Sequence, residues 1–171
     1  MTTSPLIAQL DLAPHPEGGW YRRTFASNHP VSTPGGERPA ATVIHFLLQP
    51  GEEAAWHVVS SDEMWLWHGP GPVEVHFGGT GAEPTHTETH VLDAPGTPGV
   101  RQQVLVPAGV WQRSRPRDRD ALVSCLVSPG FDFADWRLAA DSEAPAAADP
   151  AASTPDATAT HEPVDSASTG D

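Results

Sequence analysis

The sequence predicts an all-β protein, a sandwich or barrel, and three observations predict it. Short strand-like runs follow one another at close spacing, each bounded by Gly, Pro, Ser or Asp, the pattern of strands broken by turns every eight to twelve residues. The same region has no long helical period and no repeat of 20–50 residues. The large apolar side chains are concentrated between Leu6 and Leu138, whereas the rest is rich in Pro, Ala, Thr and Ser. A chain of 171 residues with this distribution reads as one domain, residues 1–138, followed by a segment at 139–171.

The elements follow in order. "MTTSPLIAQLDL" suits one short helix with Leu6, Ile7 and Leu10 as its apolar contacts. "APHPEGGWYRRTFAS" opens on a Pro/Gly turn and passes into an extended segment. "NHPVSTPGGERPA" reads as a loop. "ATVIHFLLQ", "AAWHVVS", "EMWLWHG", "PVEVHF", "THTETHVL", "RQQVLVP" and "DALVSCLVSPGF" read as strands. "RSRPRDRD", Arg113 to Asp120, reads as an exposed hairpin loop, and "FDFADWRLA" as a short closing helix. Residues 139–171 are acidic, low in complexity and almost without large apolar groups, so they are expected to be disordered, and His161 within them has no site role.

Charge narrows the partners. The net charge is −13 and all nine basic residues are Arg. The segment from 139 onward holds seven acids and no base, which leaves 15 acids and nine arginines in residues 1–138. Phosphate backbones need clustered cations, so no nucleic-acid partner is expected, and an anionic membrane surface is disfavoured by the same sign. No stretch has the length of a membrane span and the N-terminus lacks a secretory pattern, so a cytoplasmic location is expected. The single cysteine, Cys125 in "ALVSCLVSPG", reads as a buried structural thiol.

The chemistry centres on "GEEAAWHVVSSDEMWLWHG". Strand alternation that turns His57 inward also turns Val59 inward, and across a turn at "SSD" an inward Glu63 brings Trp65 and Trp67 with it. His57 and Glu63 then face each other across a hairpin between two indoles. The pair admits three roles: a satisfied structural contact, an acid/base couple, or part of a metal site. Glu17, before Gly18 and Gly19, is a candidate for the pocket rim. Arg22 and Arg23 point to opposite faces of their strand, and Arg22 is taken as the one available to an anionic group. Met64 and Leu66 face outward, and covering them calls for a twofold homodimer.

The spacings G-x5-H-x5-E-x5-G (Gly51, His57, Glu63, Gly69) and P-x-G-x2-Q (Pro107, Gly109, Gln112) resemble the two motifs of the cupin superfamily. With "PHPEGGWYRRTF", "SDEMWLW", "VPAGVWQ" and "VSPGFDFADW" in this order, residues 6–138 resemble the Cupin_5 (DUF985) family. The resemblance implies a double-stranded β-helix, the cupin jelly-roll barrel, with short terminal helices, often paired as a homodimer, and with activity largely unassigned. It also implies a metal held by three His and a Glu, but Val59 and Gln112 stand where two of those His are expected.

The protein is therefore expected to bind a small polar, sugar-like molecule at catalytic His57 and Glu63, with Glu17, Arg22, Trp65, Trp67 and Gln112 contacting it. It works either without a cofactor, as an isomerase, epimerase or lyase, or with a divalent metal on His57, Glu63 and Gln112. A binding module that catalyses nothing is the alternative.

Overall fold

The computed structural model describes residues 3–140; the acidic segment from Asp141, with the expectation of disorder placed on it, lies outside the described residues. Helix α1 (Pro5–Gln9) is capped by the Ser4 hydroxyl, which accepts from the Leu6 amide, and Pro5 takes a first-turn position where no N–H is needed. Thirteen strands follow: β1 (Ala13–Pro14), β2 (Trp20–Ala26), β3 (Pro30–Thr33), β4 (Gly36–Pro39), β5 (Thr42–Leu48), β6 (Ala54–Val59), β7 (Asp62–Pro70), β8 (Val73–Phe77), β9 (Glu88–Leu92), β10 (Gln103–Val106), β11 (Gln112–Pro116), β12 (Ala121–Ser128) and β13 (Trp136–Leu138).

They form two antiparallel sheets and a separate hairpin. One sheet has the order β1-β2-β5-β12-β7-β10, the other β13-β6-β11-β8-β9, and β3 pairs with β4. Phe46, Trp65, Val123 and Cys125 from the first sheet pack with Ala54, Val73, Val75 and Phe77 from the second in one buried cluster. This is the all-β jelly roll expected from the sequence, two sheets burying one face each against the other.

Four local expectations change. The "NHPVSTPGGERPA" loop contains the β3–β4 hairpin, turned by Pro34 and Gly35. The first part of the expected 113–120 loop is strand: Gln112–Pro116 forms β11, paired with β6 on one side and β8 on the other. Its inward residues, Gln112 and Ser114, are polar and fully buried, while Arg113 and Arg115 face outward, so no apolar alternation marks it in the sequence. The closing helix is one 3-10 turn, Phe133–Asp135, capped by Asp132, and the chain then extends as β13 along β6. Finally, β6 and β7 do not pair. The "SSD" turn carries the chain from one sheet to the other, so His57 and Glu63 face each other across the interior between the sheets.

The alternation itself holds: His57, Val59, Glu63 and Trp65 are buried, while Met64 and Leu66 lie on the outer face. There Phe25, Val43, Leu126, Met64 and Leu105 are successive cross-strand partners, one apolar row over five strands. Phe25 is 52% and Leu105 44% exposed at its two ends.

The turn before β2 has a geometry that only glycine serves. The His15 amide donates to the Gly19 carbonyl and the Gly18 amide to the His15 carbonyl, each at 2.9 Å, while Ala55 of β6 donates to the Glu17 carbonyl at 2.7 Å. Gly18 has φ +106°, and a Cβ there would stand 2.2 Å from the Glu53 carbonyl oxygen. Gly18→Ala is expected to cost on the order of 3 kcal/mol through backbone strain and that contact; thermal unfolding at neutral pH checks it.

Candidate functional site

The turn places the Glu17 carboxyl inside the jelly roll. Its Oε2 lies 3.3 Å from Nε2 of His57 and 3.6 Å from Nδ1 of His15, and the Trp136 indole N–H donates to it at 3.3 Å. Glu63 reaches the same space from the opposite sheet. All four titratable side chains are buried: His15, Glu17, His57 and Glu63 are 2–7% exposed. They line a cleft of about 460 Å³, its solvent-open mouth included.

The hydrogen bonds assign protons. Nδ1 of His57 is 2.8 Å from the Ala55 carbonyl oxygen; a carbonyl only accepts, so Nδ1 carries a hydrogen and neutral His57 presents the bare Nε2 to Glu17. Nδ1 of His15 accepts from the Glu17 amide at 3.3 Å, so it too offers a lone pair on this side. A proton on Glu17 satisfies the contact with His57. Burial favours that neutral arrangement: it pushes the Glu17 carboxyl up from its ordinary value, against the opposing pull of His15, and pushes both imidazoles down.

Glu63 sits in a different setting. Burial raises its proton affinity first, and the His57 imidazole opposes that rise. Its Oε2 accepts a short hydrogen bond from the Gln112 amide, and the Cys125 side chain lines the cleft with it. The Gln112 amide is itself oriented, because its oxygen accepts from the Trp65 indole N–H at 2.9 Å. A short, oriented amide donor therefore supports negative charge on Glu63, whereas Glu17 has one longer contact from Trp136. Cys125 is buried and free, and burial together with Glu63 holds its thiol well above the ordinary range. It remains a thiol, as the sequence implied, although it lies against the cleft.

The sequence-derived residues are thus partly gathered. His57, Glu63 and Glu17 meet in the cleft. Gln112 stands behind Glu63, and Trp65 stands behind Gln112, against Phe46 in the core. Trp67 turns its indole N–H to the Gly71 carbonyl at 2.8 Å, away from the cleft. Arg22 faces outward, 3.7 Å from Asp11 and hydrogen-bonded to the Leu10 carbonyl; its neighbour Arg23 is the arginine that lines the cleft.

His57, Glu63 and Gln112 are not gathered as a ligand set: the Gln112 amide donates to Glu63 and its oxygen accepts from Trp65. Among the described residues no group of three or more His, Cys, Asp and Glu side chains is arranged to hold a metal. Nor does any helix among the described residues have the length and apolarity to cross a membrane.

Residues the sequence reading passed over complete the site. His15 belongs to the quoted "PHPEGGW" run, two positions before Glu17. Phe131, Phe133 and Trp136 come from "VSPGFDFADW", and with Tyr21 they form the aromatic rim. His15 lies among them, edge-on to Tyr21 at 4.6 Å and stacked near Phe133 at 6.1 Å. The signal available was position: His15, Phe131 and Phe133 stand in or beside Pro/Gly segments outside the regular strands, where function concentrates.

Comparison with known proteins matches this architecture. The family model described as Cupin superfamily (DUF985) matches residues 4–139. A protein from Shewanella oneidensis has 35% identity and a TM-score of 0.70, over 81% of this chain and 85% of that one. A hypothetical protein from Leishmania major has 33% identity and a TM-score of 0.68, over 77% and 84%. A cupin-2 domain from Rhodospirillum rubrum, at 16% identity and a TM-score of 0.51, covering 75% of this chain and 70% of that one, shares the fold. No curated protein matches the sequence. By the family match and these two relatives, the chain belongs to the Cupin_5 (DUF985) family of the cupin superfamily.

Proposed function

We propose that the cleft is the active site of an isomerase, epimerase or lyase acting on a small polar molecule by proton transfer. The observation that carries this reading is the arrangement at His57: the Ala55 carbonyl holds the proton on Nδ1, and bare Nε2 stands 3.3 Å from a buried carboxyl on Glu17. The two groups hold one mobile proton between them, with Glu63 as a second, differently supported carboxyl nearby. Pairs of titratable groups with contrasting surroundings can divide acid and base roles.

In the simplest sequence the Glu63 carboxylate takes the proton from a carbon next to a carbonyl, and the C–H electron pair moves into an enolate. The Glu17–His57 pair then supplies one proton. Delivery to the oxygen starts an isomerisation, and delivery to the same carbon completes an epimerisation. Glu63 ends one proton richer and the pair one poorer, and exchange with water or the reverse turnover restores both.

A binding module would use the same cleft without exchange, and isotope exchange separates the two. In D2O with a panel of hydroxy and oxo compounds, the enzyme is expected to wash deuterium into a carbon-bound position, read by NMR. His57→Gln and Glu63→Gln are each expected to slow exchange by about 10²–10⁴-fold. Saturable binding without exchange would favour the binding module.

Stability supplies an independent check. Because the Glu17 carboxyl is raised on folding, it contributes stability below its unfolded value of 4.5 and that stability is lost as pH rises through the folded value. Glu17→Gln, neutral at all pH, is expected to gain stability over the parent on going from pH 4 to pH 8 while losing exchange; thermal unfolding across that range measures it. The lowered imidazoles of His15 and His57 have the opposite sign, so the protein loses their contribution as pH falls below 6.5.

We also propose that two chains pair across the apolar row on the outer face of the first sheet, with Leu105 and Phe25 in the contact. Leu105→Arg is expected to shift the protein from dimer to monomer in analytical ultracentrifugation without moving the far-UV spectrum.

A further inference from the structure

Resting on the acid/base reading of the cleft, we propose that the substrate is a small carboxylate whose anionic group is held by Arg23, with the reacting carbon directed inward. Arg23 is the only permanently cationic side chain among the residues lining the cleft. Among the described residues its guanidinium has no carboxylate within 4.0 Å. Its one hydrogen bond is to the Phe131 carbonyl at 3.4 Å, which leaves most of its five donors unused. Other arginines are spoken for: Arg38 meets Asp135 at 2.7 Å, and Arg115 and Arg117 both meet Glu74 at 2.9 Å.

Register fixes its relation to the chemistry. Arg23 pairs with Ile44, and Ile44 pairs with Cys125, beside Glu63. Two strand spacings separate the Arg23 and Cys125 backbones, about 10 Å; Arg23 is exposed, at the mouth, and the proton-transfer groups are buried, at the floor. Tyr21, Phe131 and Phe133 flank the interval and offer apolar surface to a short carbon skeleton.

Charge decides which anion. One guanidinium presents a planar fork that matches a carboxylate in a bidentate contact. A phosphate monoester, close to dianionic, calls for a second cation or a helix N-terminus, and the cleft lining has neither. A chain of net charge −13 also repels a dianion more than a monoanion. Inside, the proton-bearing Glu17 and the neutral imidazoles suit a hydroxyl or oxo group. The geometry points to a 2-hydroxy or 2-oxo carboxylate of few carbons.

The test uses the full chain and the NMR signal of the Trp136 indole N–H, which lies on the cleft against Glu17. Glycolate, lactate, pyruvate and 2-oxobutyrate are titrated beside lactamide, pyruvamide and phosphoglycolate. Saturable shifts with at least one carboxylate are expected, with Kd about 10- to 100-fold higher in Arg23→Gln, the range for a hydrogen-bonded charge, and with the amides no better than the variant. Equal binding of an acid and its amide, unchanged binding in Arg23→Gln, tighter binding of phosphoglycolate, or no saturable carboxylate at all would each overturn it. The deuterium readout keeps the two readings apart. A bound carboxylate without exchange leaves the anion site standing and removes the acid/base function. Exchange confined to neutral compounds does the reverse.

Discussion

A carboxyl and an imidazole nitrogen 3.3 Å apart and shut away from water must either share one proton or carry opposite charges without hydration. That demand organises the site. The Ala55 carbonyl fixes which His57 nitrogen is bare, and the glycine turn at residues 18–19 swings Glu17 in from outside the sheets. The last strand brings Trp136 to donate into the carboxyl. Three distant parts of the chain converge on one pair, so the pair depends on the whole jelly roll closing correctly.

The two glutamates show how surroundings alone can set two buried carboxyls apart. Both are buried and both are raised by burial. Glu63 is backed by a chain of oriented donors running from Trp65 through Gln112, whereas the amide donating to His15 is the Glu17 backbone, and its side chain receives only the indole. Gln112, at a position where the superfamily pattern calls for a ligand, thus serves here as an orienting amide: it spends both its polar atoms within the protein.

Much of this was legible in the sequence because it rests on strand alternation. Parity alone put His57 and Glu63 indoors and Met64 outdoors, since a one-residue slip would reverse every side chain. What parity cannot give is which strands share a sheet, and so a contact between sheets looked like one across a hairpin. The same limit sent Trp65 and Trp67 to the cleft wall: inward meant core for them. Arg113 to Pro116 read as loop because a strand buried through polar side chains has no apolar rhythm. Arg22 and Arg23 were known to diverge, but the sequence offered no origin from which to number the faces. His15, Phe131 and Phe133 lie outside the strands, where tertiary packing alone sets direction.

The placement of these groups on separate walls has a stereochemical consequence. His57 belongs to β6 in one sheet and Glu63 to β7 in the other, and the bond from Nδ1 to the backbone prevents the imidazole from turning over without losing a partner. A flat intermediate between the walls would meet the carboxylate on one face and the imidazole–carboxyl pair on the opposite one. Removal from one side and return from the other inverts the carbon between them, so the two-sheet architecture would impose a handedness that no single residue carries.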